Sequence, residues 1–131
     1  MEQNFFRSVL GDLSSEEMGL TYSHEHIIID DSYLTVQHPE FLLNDISKVS
    51  KELKGFYALG GRTMVDTMPA NSGRNALKLA EVSRASQVNI IVPTGLHLEI
   101  YYPSNHWRYT YSEEQLSELF IADIEDGIDR F

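Results

Sequence analysis

The chain has 131 residues with 42% hydrophobic side chains and no cysteine, so it can bury the core of one domain but cannot form a disulfide or a thiolate metal site. Its 20 acidic and 10 basic residues give a formal net charge of -10, which disfavours binding to nucleic acid or to an anionic membrane surface. The N-terminus has no basic start followed by an apolar run, and no apolar run is long enough to span a bilayer, so we expect a cytoplasmic protein.

The first half of the chain predicts a hairpin, a strand and a helix. Two extended pieces around the polar residues 12–16 predict a small β-hairpin within residues 8–22. Residues 20–29 follow as a buried strand, because they end in a nearly pure apolar run. Residues 39–59 then predict a helix, in which apolar side chains recur at spacings of three and four, a proline occupies the first turn and two glycines follow as a stop.

The second half continues the alternation of strands and helices. β-branched residues mark a strand at 62–67, and a serine provides the N-cap for a helix at 73–86. Residues 88–94 predict a third strand that is buried on both faces, and residues 95–111 form a long loop. A capping box at 112–115 then opens the last helix.

This alternation predicts an α/β protein with a parallel sheet and right-handed crossovers. Parallel strands that are buried on both faces occur in (β/α)8 barrels and in doubly wound sheets, and the pattern alone leaves both architectures open. No linker or change of composition divides the chain, so we expect residues 1–131 to belong to a single domain.

The sharpest local feature is the string His24-Glu25-His26 at the end of the first strand. Side chains on a strand alternate, so His24 and His26 share one face while Glu25 points to the other. Two imidazoles on one face form half of a site for a divalent transition metal. The alternative is a pair of partly exposed, hydrogen-bonded histidines near a strand end.

Polar residues also follow the other strands. Asp30 lies in the loop after the histidine pair, Asp66 ends the second strand, and Thr94-Gly95 ends the third. In barrel enzymes the chemistry is located at this carboxyl-terminal rim. We expect Asp66 to support the site by hydrogen bonding rather than to bind a metal directly. Arg74 is expected to pair with Asp66 or to cap carbonyl groups.

Several strings together resemble the phosphotriesterase-related family of the amidohydrolase superfamily. They are His24-Glu25-His26, Gly60-Gly61-Arg62-Thr63-Met64-Val65-Asp66, Gly73-Arg74-Asn75, Asn89-Ile90-Ile91 and Thr94-Gly95-Leu96. Their order and spacing match that family over essentially the whole chain. The resemblance implies an incomplete domain: a hairpin at 8–22 followed by about three βα units, the N-terminal portion of a (β/α)8 TIM barrel.

The resemblance also implies a centre of two divalent ions, most often Zn²⁺. In that family the first His-x-His pair binds the more buried ion, a role that corresponds to His24 and His26. The family's other ligands are a carboxylated lysine, two further histidines and an aspartate, which come from later strands. We therefore expect no catalytic residue within this chain and place those groups C-terminal to Phe131.

The loop at 95–111 is rich in aromatic residues and histidine, which suits a substrate wall at the rim. Its strings Leu96-His97 and Asn105-His106-Trp107 resemble the lactonase-like members of the family. The candidate substrate contacts are His97, Tyr101, Tyr102, Trp107 and Arg108. The alternative is that these aromatic residues only pack the loop onto the barrel. His38, in an earlier loop, is expected to be solvated.

The implied reaction is attack of a metal-activated hydroxide on an ester centre. A lactone is the first candidate substrate, with phosphorylated sugar lactones among them, and a phosphotriester is the second. Because two imidazoles alone bind a metal weakly, we expect the 131-residue chain by itself to be inactive. Its third strand would have an unpaired edge, so we expect association with the missing barrel portion or self-association. A reading of another class is a truncated, non-catalytic interaction module.

Overall fold

The computed structural model describes residues 4–130 and begins with an antiparallel hairpin of β1 (Phe5–Ser8) and β2 (Gly11–Ser14). The predicted hairpin position, with its turn at 12–16, is wrong. The chain reverses earlier, just before Gly11, whose φ of 124° is readily accessible only to glycine. The polar residues after it form a 3-10 turn, Ser15–Glu17, closed by a capping box.

Three parallel strands follow in the order β3 (Leu20–Glu25), β4 (Gly61–Asp66) and β5 (Asn89–Ile91). This order confirms the predicted parallel sheet. The predicted first strand at 20–29 is too long, because the ladder stops at Glu25. The predicted third strand at 88–94 is also too long, since a proline in its second half has no N–H to donate.

β3 is not buried as the sequence suggested. Leu20 and Tyr22 are 64% and 52% exposed. β3 is an edge strand of the described sheet. None of the described elements covers the face of β3 that carries Leu20 and Tyr22. The apolar run that suggested burial continues beyond the strand instead, where Ile27 and Ile28 are buried in the core.

Four helices connect or follow the strands: α1 (Tyr33–Gln37), α2 (Ile46–Ala58), α3 (Ala76–Ser86) and α4 (Glu113–Glu125). Each begins at a side chain that accepts a backbone N–H, and these N-caps are Ser32, Asp45, Asn75 and Ser112. The capping box at 112–115 is confirmed. No helix of the described residues is long and apolar enough to cross a membrane.

The predicted helix at 39–59 begins seven residues late, at Ile46. Leu43 instead exchanges two backbone hydrogen bonds with Ile29 in an isolated antiparallel bridge. A contact with a residue 14 positions away therefore overrides the local helical pattern. The predicted glycine stop is confirmed, because Gly60 has a φ of 102° and Gly61 lies against the ring of Phe56.

The core lies between the parallel sheet and the helices α2 and α3. It contains nine buried apolar residues: Ile27, Ile28, Val49, Leu53, Met64, Leu79, Val82, Val88 and Ile90. Burial of such side chains contributes about 1.5–3 kcal/mol each relative to exposure. Packing of the sheet against these two helices fixes the positions of the carboxyl ends of the strands.

We predict that Leu79→Ala lowers the free energy of unfolding by about 2–5 kcal/mol, because Leu79 is fully buried and its truncation leaves a cavity. Leu77→Ala on the same helix is the matched control, since Leu77 is 60% exposed. Urea denaturation followed by circular dichroism measures both variants. Equal losses for the two variants would contradict the position of the core.

Candidate functional site

The carboxyl ends of β3, β4 and β5 lie at the same end of the sheet. We call this end the strand-end edge, to distinguish it from the lateral edges formed by β3 and β5. The amide of Thr67, after β4, donates to the carbonyl of Glu25 at the end of β3 (2.8 Å). The amide of Ala70 donates to the carbonyl of Gly95, after β5 (3.1 Å). These bonds bring the predicted strand-end residues together.

His24 lies in β3 and His26 directly follows it, and their rings lie edge to face. The ring centroids are 5.7 Å apart, and the ring planes form an angle of 76°. His24 is exposed and His26 is half-buried. Two imidazoles that bind one tetrahedral zinc ion at about 2.0–2.1 Å have centroids roughly 5 Å apart, so the pair suits a shared ion.

The pair is only part of a metal site. Within residues 4–130, no group of three or more His, Asp or Glu side chains could hold an ion. Structural zinc sites have four protein ligands and catalytic sites usually three. The ligand roles of His24 and His26 therefore stay predictions from the sequence.

Thr67 is a residue of this edge that the sequence analysis did not single out. Its hydroxyl lies 3.0 Å from the carbonyl of Glu25 and 3.3 Å from Nδ1 of His26. The amide of His26 also donates to the carboxylate of Glu25 (2.8 Å). His26 is thus held by hydrogen bonds at two atoms, its backbone amide nitrogen and its ring Nδ1. No local pattern in the sequence marks this contact, which joins residues 41 positions apart.

Asp66 is fully buried, and its carboxylate accepts three backbone hydrogen bonds. The donors are the amides of Ile27 and Ile28, each at 3.2 Å, and the amide of Met68 at 2.8 Å. Burial raises the pKa of Asp66, while the three N–H groups act in the opposite direction. The carboxylate therefore shapes the segment after His26, and its predicted supporting role toward a metal stays a prediction.

Asp30 joins three segments near the strand-end edge. Its carboxylate accepts from Lys78 Nζ (2.7 Å), Asn44 Nδ2 (3.0 Å) and Asn75 Nδ2 (2.6 Å), and its amide donates to the carbonyl of Gly73. Burial raises the pKa of Asp30, but these three side-chain donors lower it more strongly, to about 2. The ionised carboxylate is therefore the form that the fold favours.

Tyr102 anchors the long loop after β5. It is 4% exposed, and its hydroxyl donates to the carbonyl of Ala70 (2.8 Å) and accepts from the amide of His97 (2.7 Å). Burial raises the pKa of the Tyr102 hydroxyl, so it remains protonated. Both sides of the hydroxyl are occupied by backbone groups. For Tyr102 the structure favours the packing alternative over the predicted substrate contact.

Arg108 is held within the same loop. Its guanidinium donates to the carbonyl of His97 (3.0 Å) and lies 3.8 Å from the carboxylate of Glu99. It also lies 5.2 Å from the ring centroid of Tyr102 and 5.3 Å from that of Tyr109. A guanidinium carries five N–H donors, so these contacts leave donors for an anionic group.

His97 and Tyr101 bring the loop toward an earlier one. Their rings make an edge contact with centroids 4.4 Å apart, and the ring of His38 lies 6.4 Å from Tyr101. Burial lowers the pKa of His97, as does its proximity to His26. Trp107 donates from Nε1 to the side chain of Asn71 (2.9 Å). Three of the predicted substrate contacts are therefore gathered beside the strand-end edge, although their substrate role stays a prediction.

Arg74 does not pair with Asp66, so that part of the prediction is wrong. Its side chain is 4% exposed and donates to the carbonyl of Pro93 (3.0 Å), as the alternative of carbonyl capping predicted. It also pairs with Asp123 (3.5 Å) and Asp129 (2.8 Å). Asp66 is instead saturated by backbone amides. Nothing local in the sequence marks acidic partners 49 and 55 residues away.

Comparison with known proteins places this geometry in context. The family model described as "Phosphotriesterase family" matches residues 4–131. Two curated relatives, named phospho-furanose lactonase, come from Mycoplasmopsis synoviae (34% identity over 135 residues) and Mycoplasmopsis agalactiae (30% over 133 residues). The chain is covered to 100% and 99%, respectively, and spans 38% of the length of each.

A solved structure shows the same fold. It is a crystal structure of an amidohydrolase from Mycoplasma synoviae, which matches with a TM-score of 0.90 and 34% identity over 99% of this chain and 38% of that one. Together with the parallel order β3-β4-β5, the match identifies the architecture as the N-terminal part of a TIM barrel, preceded by a hairpin.

We predict that Asp30→Asn lowers the free energy of unfolding at pH 7 by about 2 kcal/mol. This is the free energy that corresponds to lowering the pKa of Asp30 from 3.8 to about 2 on folding. Because the folded-state pKa is lowered, this contribution is present above the unfolded-state pKa and is lost as the pH falls from about 4 to about 2. Urea denaturation at several pH values measures it.

The exposed neighbour Asp31 provides the control, as Asp31→Asn. The difference between the wild type and Asp30→Asn should shrink across that pH range. A difference that stays constant down to pH 2 would show that the ionised carboxylate is not the stabilising form.

Proposed function

This chain belongs to the phosphotriesterase family, and on that premise we propose that its complete polypeptide is a metal-dependent hydrolase that opens lactones by attack of hydroxide on the ester carbon. The observation that carries the proposal is the adjacent imidazole pair at the strand-end edge, with ring centroids 5.7 Å apart. In barrel enzymes this is the end of the strands where catalytic groups are located.

His24 and His26 would hold a divalent ion, for which Zn²⁺ suits imidazole donors in the absence of cysteine. When bound, such an ion lowers the pKa of a water and polarises the substrate oxygen, and the proposed complete site holds two ions. The described residues contribute the imidazole pair, the contact that orients His26 and the buried Asp66 carboxylate. The remaining ligands and the group that moves the proton lie beyond Phe131 in this proposal.

The loop after β5 would bind the substrate. The name of the two lactonase relatives points to a furanose lactone that carries a phosphate. Arg108 has N–H donors beyond those used by His97 and Glu99, which suits recognition of a phosphate. His97, Tyr101 and Trp107 would form an aromatic wall for the sugar ring. Tyr102 would hold this loop in place through its hydrogen bonds to the backbone of His97 and Ala70.

A phosphotriester is the second candidate substrate. The observation in its favour is the description of the matched family itself. A triester carries no anionic group, so the charged donors of Arg108 would bind it only through the neutral phosphoryl oxygen, more weakly than they would bind a phosphate. The presence of that guanidinium in the loop is why we rank a phosphorylated lactone first.

We also propose that these residues pack against the remaining strands of the complete polypeptide, and that the 131-residue chain produced alone associates with a polypeptide that supplies those strands. A cleft runs beside β5 between the hairpin and α4, and apolar side chains line much of it, among them Phe6, Val92 and Ile124. Ile124 is 59% exposed there. The hairpin contacts β5 at one point, where the amide of Val9 donates to the carbonyl of Ile90 (2.7 Å). A strand lying parallel to β5 would cover the rest of this cleft.

We predict that the complete polypeptide hydrolyses a phosphorylated furanose lactone and that His24→Ala or His26→Ala lowers kcat/KM at least about 100-fold, since each removes a metal ligand. The 131-residue chain alone should show no turnover. His38→Ala is the control, because His38 lies in a separate loop with its side chain 44% exposed. A pH-indicator assay of lactone opening measures all variants.

Other outcomes of this assay separate the rival functions. Turnover of a phosphotriester with none of the lactone would overturn the substrate order. A folded complete polypeptide that hydrolyses neither substrate would favour a non-catalytic interaction module. Undiminished activity of both histidine variants would refute the metal site.

We predict that Ile124→Asp weakens binding of this chain to the polypeptide carrying the remaining strands by at least about 10-fold, because it places a charge in the apolar cleft. Ile121→Asp is the matched control, because Ile121 lies on the same helix and is 49% exposed but does not line the cleft. Sedimentation velocity measures binding. Self-association of the chain without that partner, or equal effects of both variants, would contradict the proposal.

A further inference from the structure

We propose that Thr67 fixes the tautomer of His26, so that the imidazole carries its proton on Nδ1 and presents the lone pair of Nε2 to a metal ion. The metal part of this inference rests on the function proposed above. The tautomer itself follows from the contacts of the Thr67 hydroxyl with one carbonyl oxygen and one ring nitrogen. Thr67 would thus be a positioning residue for the imidazole ligand.

The threonine hydroxyl has a fixed position. The amide of Thr67 donates to the carbonyl of Glu25 (2.8 Å), which ties the start of the segment after β4 to the end of β3. Its hydroxyl lies 3.0 Å from the same carbonyl oxygen and 3.3 Å from Nδ1 of His26. The side chain therefore bridges a backbone acceptor and the imidazole.

The single proton of the hydroxyl decides the direction of both hydrogen bonds. A carbonyl oxygen can only accept, so the contact with Glu25 requires that Thr67 donate to it. The hydroxyl then faces Nδ1 of His26 with a lone pair, and Nδ1 must donate. The opposite arrangement would place two acceptors 3.0 Å apart without a proton between them.

A neutral imidazole with its proton on Nδ1 has its lone pair on Nε2. Among residues 4–130, Thr67 is the only hydrogen-bond partner of the His26 ring, so Nε2 is not engaged by a described side chain. Metal-binding histidines are commonly oriented by a hydrogen bond from their other ring nitrogen, and loss of that partner weakens metal affinity about 10- to 100-fold.

His24 provides an internal comparison. Its ring is exposed and contacts the ring of His26, but no hydrogen bond of the described residues holds it. The two predicted ligands therefore differ: His26 is fixed in tautomer and orientation, whereas His24 is free to adapt. An effect of Thr67 should accordingly appear at His26 and not at His24.

The experiment uses the 131-residue chain with ¹⁵N-labelled histidine rings, at a pH where the imidazoles are neutral. Long-range ¹H–¹⁵N spectra identify the protonated nitrogen of each ring. We expect His26 to carry its proton on Nδ1 in the wild type and in Thr67→Ser, and to lose this preference in Thr67→Val. His24 should be unchanged in all three. Thr110→Val is the control, because that hydroxyl bonds the carbonyl of Trp107 in the loop.

Titration with Zn²⁺ alone, followed in the same spectra, tests the consequence for the metal. We expect Thr67→Val to weaken zinc binding about 10- to 100-fold and Thr67→Ser to retain it. A wild-type His26 with its proton on Nε2 would overturn the inference, even if the valine variant does not fold. So would equal zinc affinity in wild type and Thr67→Val.

The failure of the proposed function has a different signature. A proton on Nδ1 of His26 together with no zinc binding to the pair would count against the metal site and would leave the tautomer assignment standing. Zinc binding through Nδ1 of His26 would overturn the role of Thr67 and would leave the metal site intact.

Discussion

The backbone conformation at the strand-end edge depends on the hydrogen bonds that the buried carboxylate of Asp66 accepts. This carboxylate replaces the strand ladder as the acceptor for the amides of Ile27 and Ile28, whose side chains are in the core. Without it these N–H groups would be buried and unpaired, at a cost of about 1–3 kcal/mol each. Burial raises the pKa of Asp66, and the hydrogen bonds from these same backbone N–H groups lower it. This exchange ends β3 at Glu25 and leaves His26 at the edge of the sheet.

Charged and polar groups, rather than apolar packing, hold the surrounding loops. Asp30 joins the loop after β3 to α3, and Arg74 joins the segment after β5 to α4 through Pro93 and Asp123. Arg74 and Asp123 are nearly fully buried, so removal of Arg74 would leave Asp123 as an uncompensated buried charge. The apolar core occupies only the side of the sheet that faces α2 and α3. In a barrel the other side of these strands faces the interior, which matches the exposure of Leu20 and Tyr22 on β3.

The sequence predicted what short-range patterns encode and failed where distant residues decide. The order of strands and helices, the stop at Gly60 and the capping box at Ser112 depend on neighbours within a few positions, and all three are confirmed. The start of α2 depends on the bridge between Leu43 and Ile29, and the length of β3 depends on Asp66, so both were misplaced. Strand alternation predicted that His24 and His26 share one side, and their rings do lie 5.7 Å apart, although His26 lies past the end of β3. The contact of Thr67 with His26 could not be predicted, because it requires the parallel register of β3 and β4.

The groups at this edge differ in what holds them, and that difference separates two roles. His26 is fixed by the ends of two strands, through Glu25 and Thr67, and its position therefore follows from the sheet. Arg108 is fixed by groups of its own loop, and the loop is attached to the rest of the fold through Tyr102 and Ala70. A change within the loop can thus alter the donors presented to a substrate without displacing the imidazole pair. Conversely, a change in the register of β3 and β4 would displace the pair while the loop keeps its own contacts. A fold that divides its contacts in this way can vary the groups that its loop presents while the imidazole pair keeps its position.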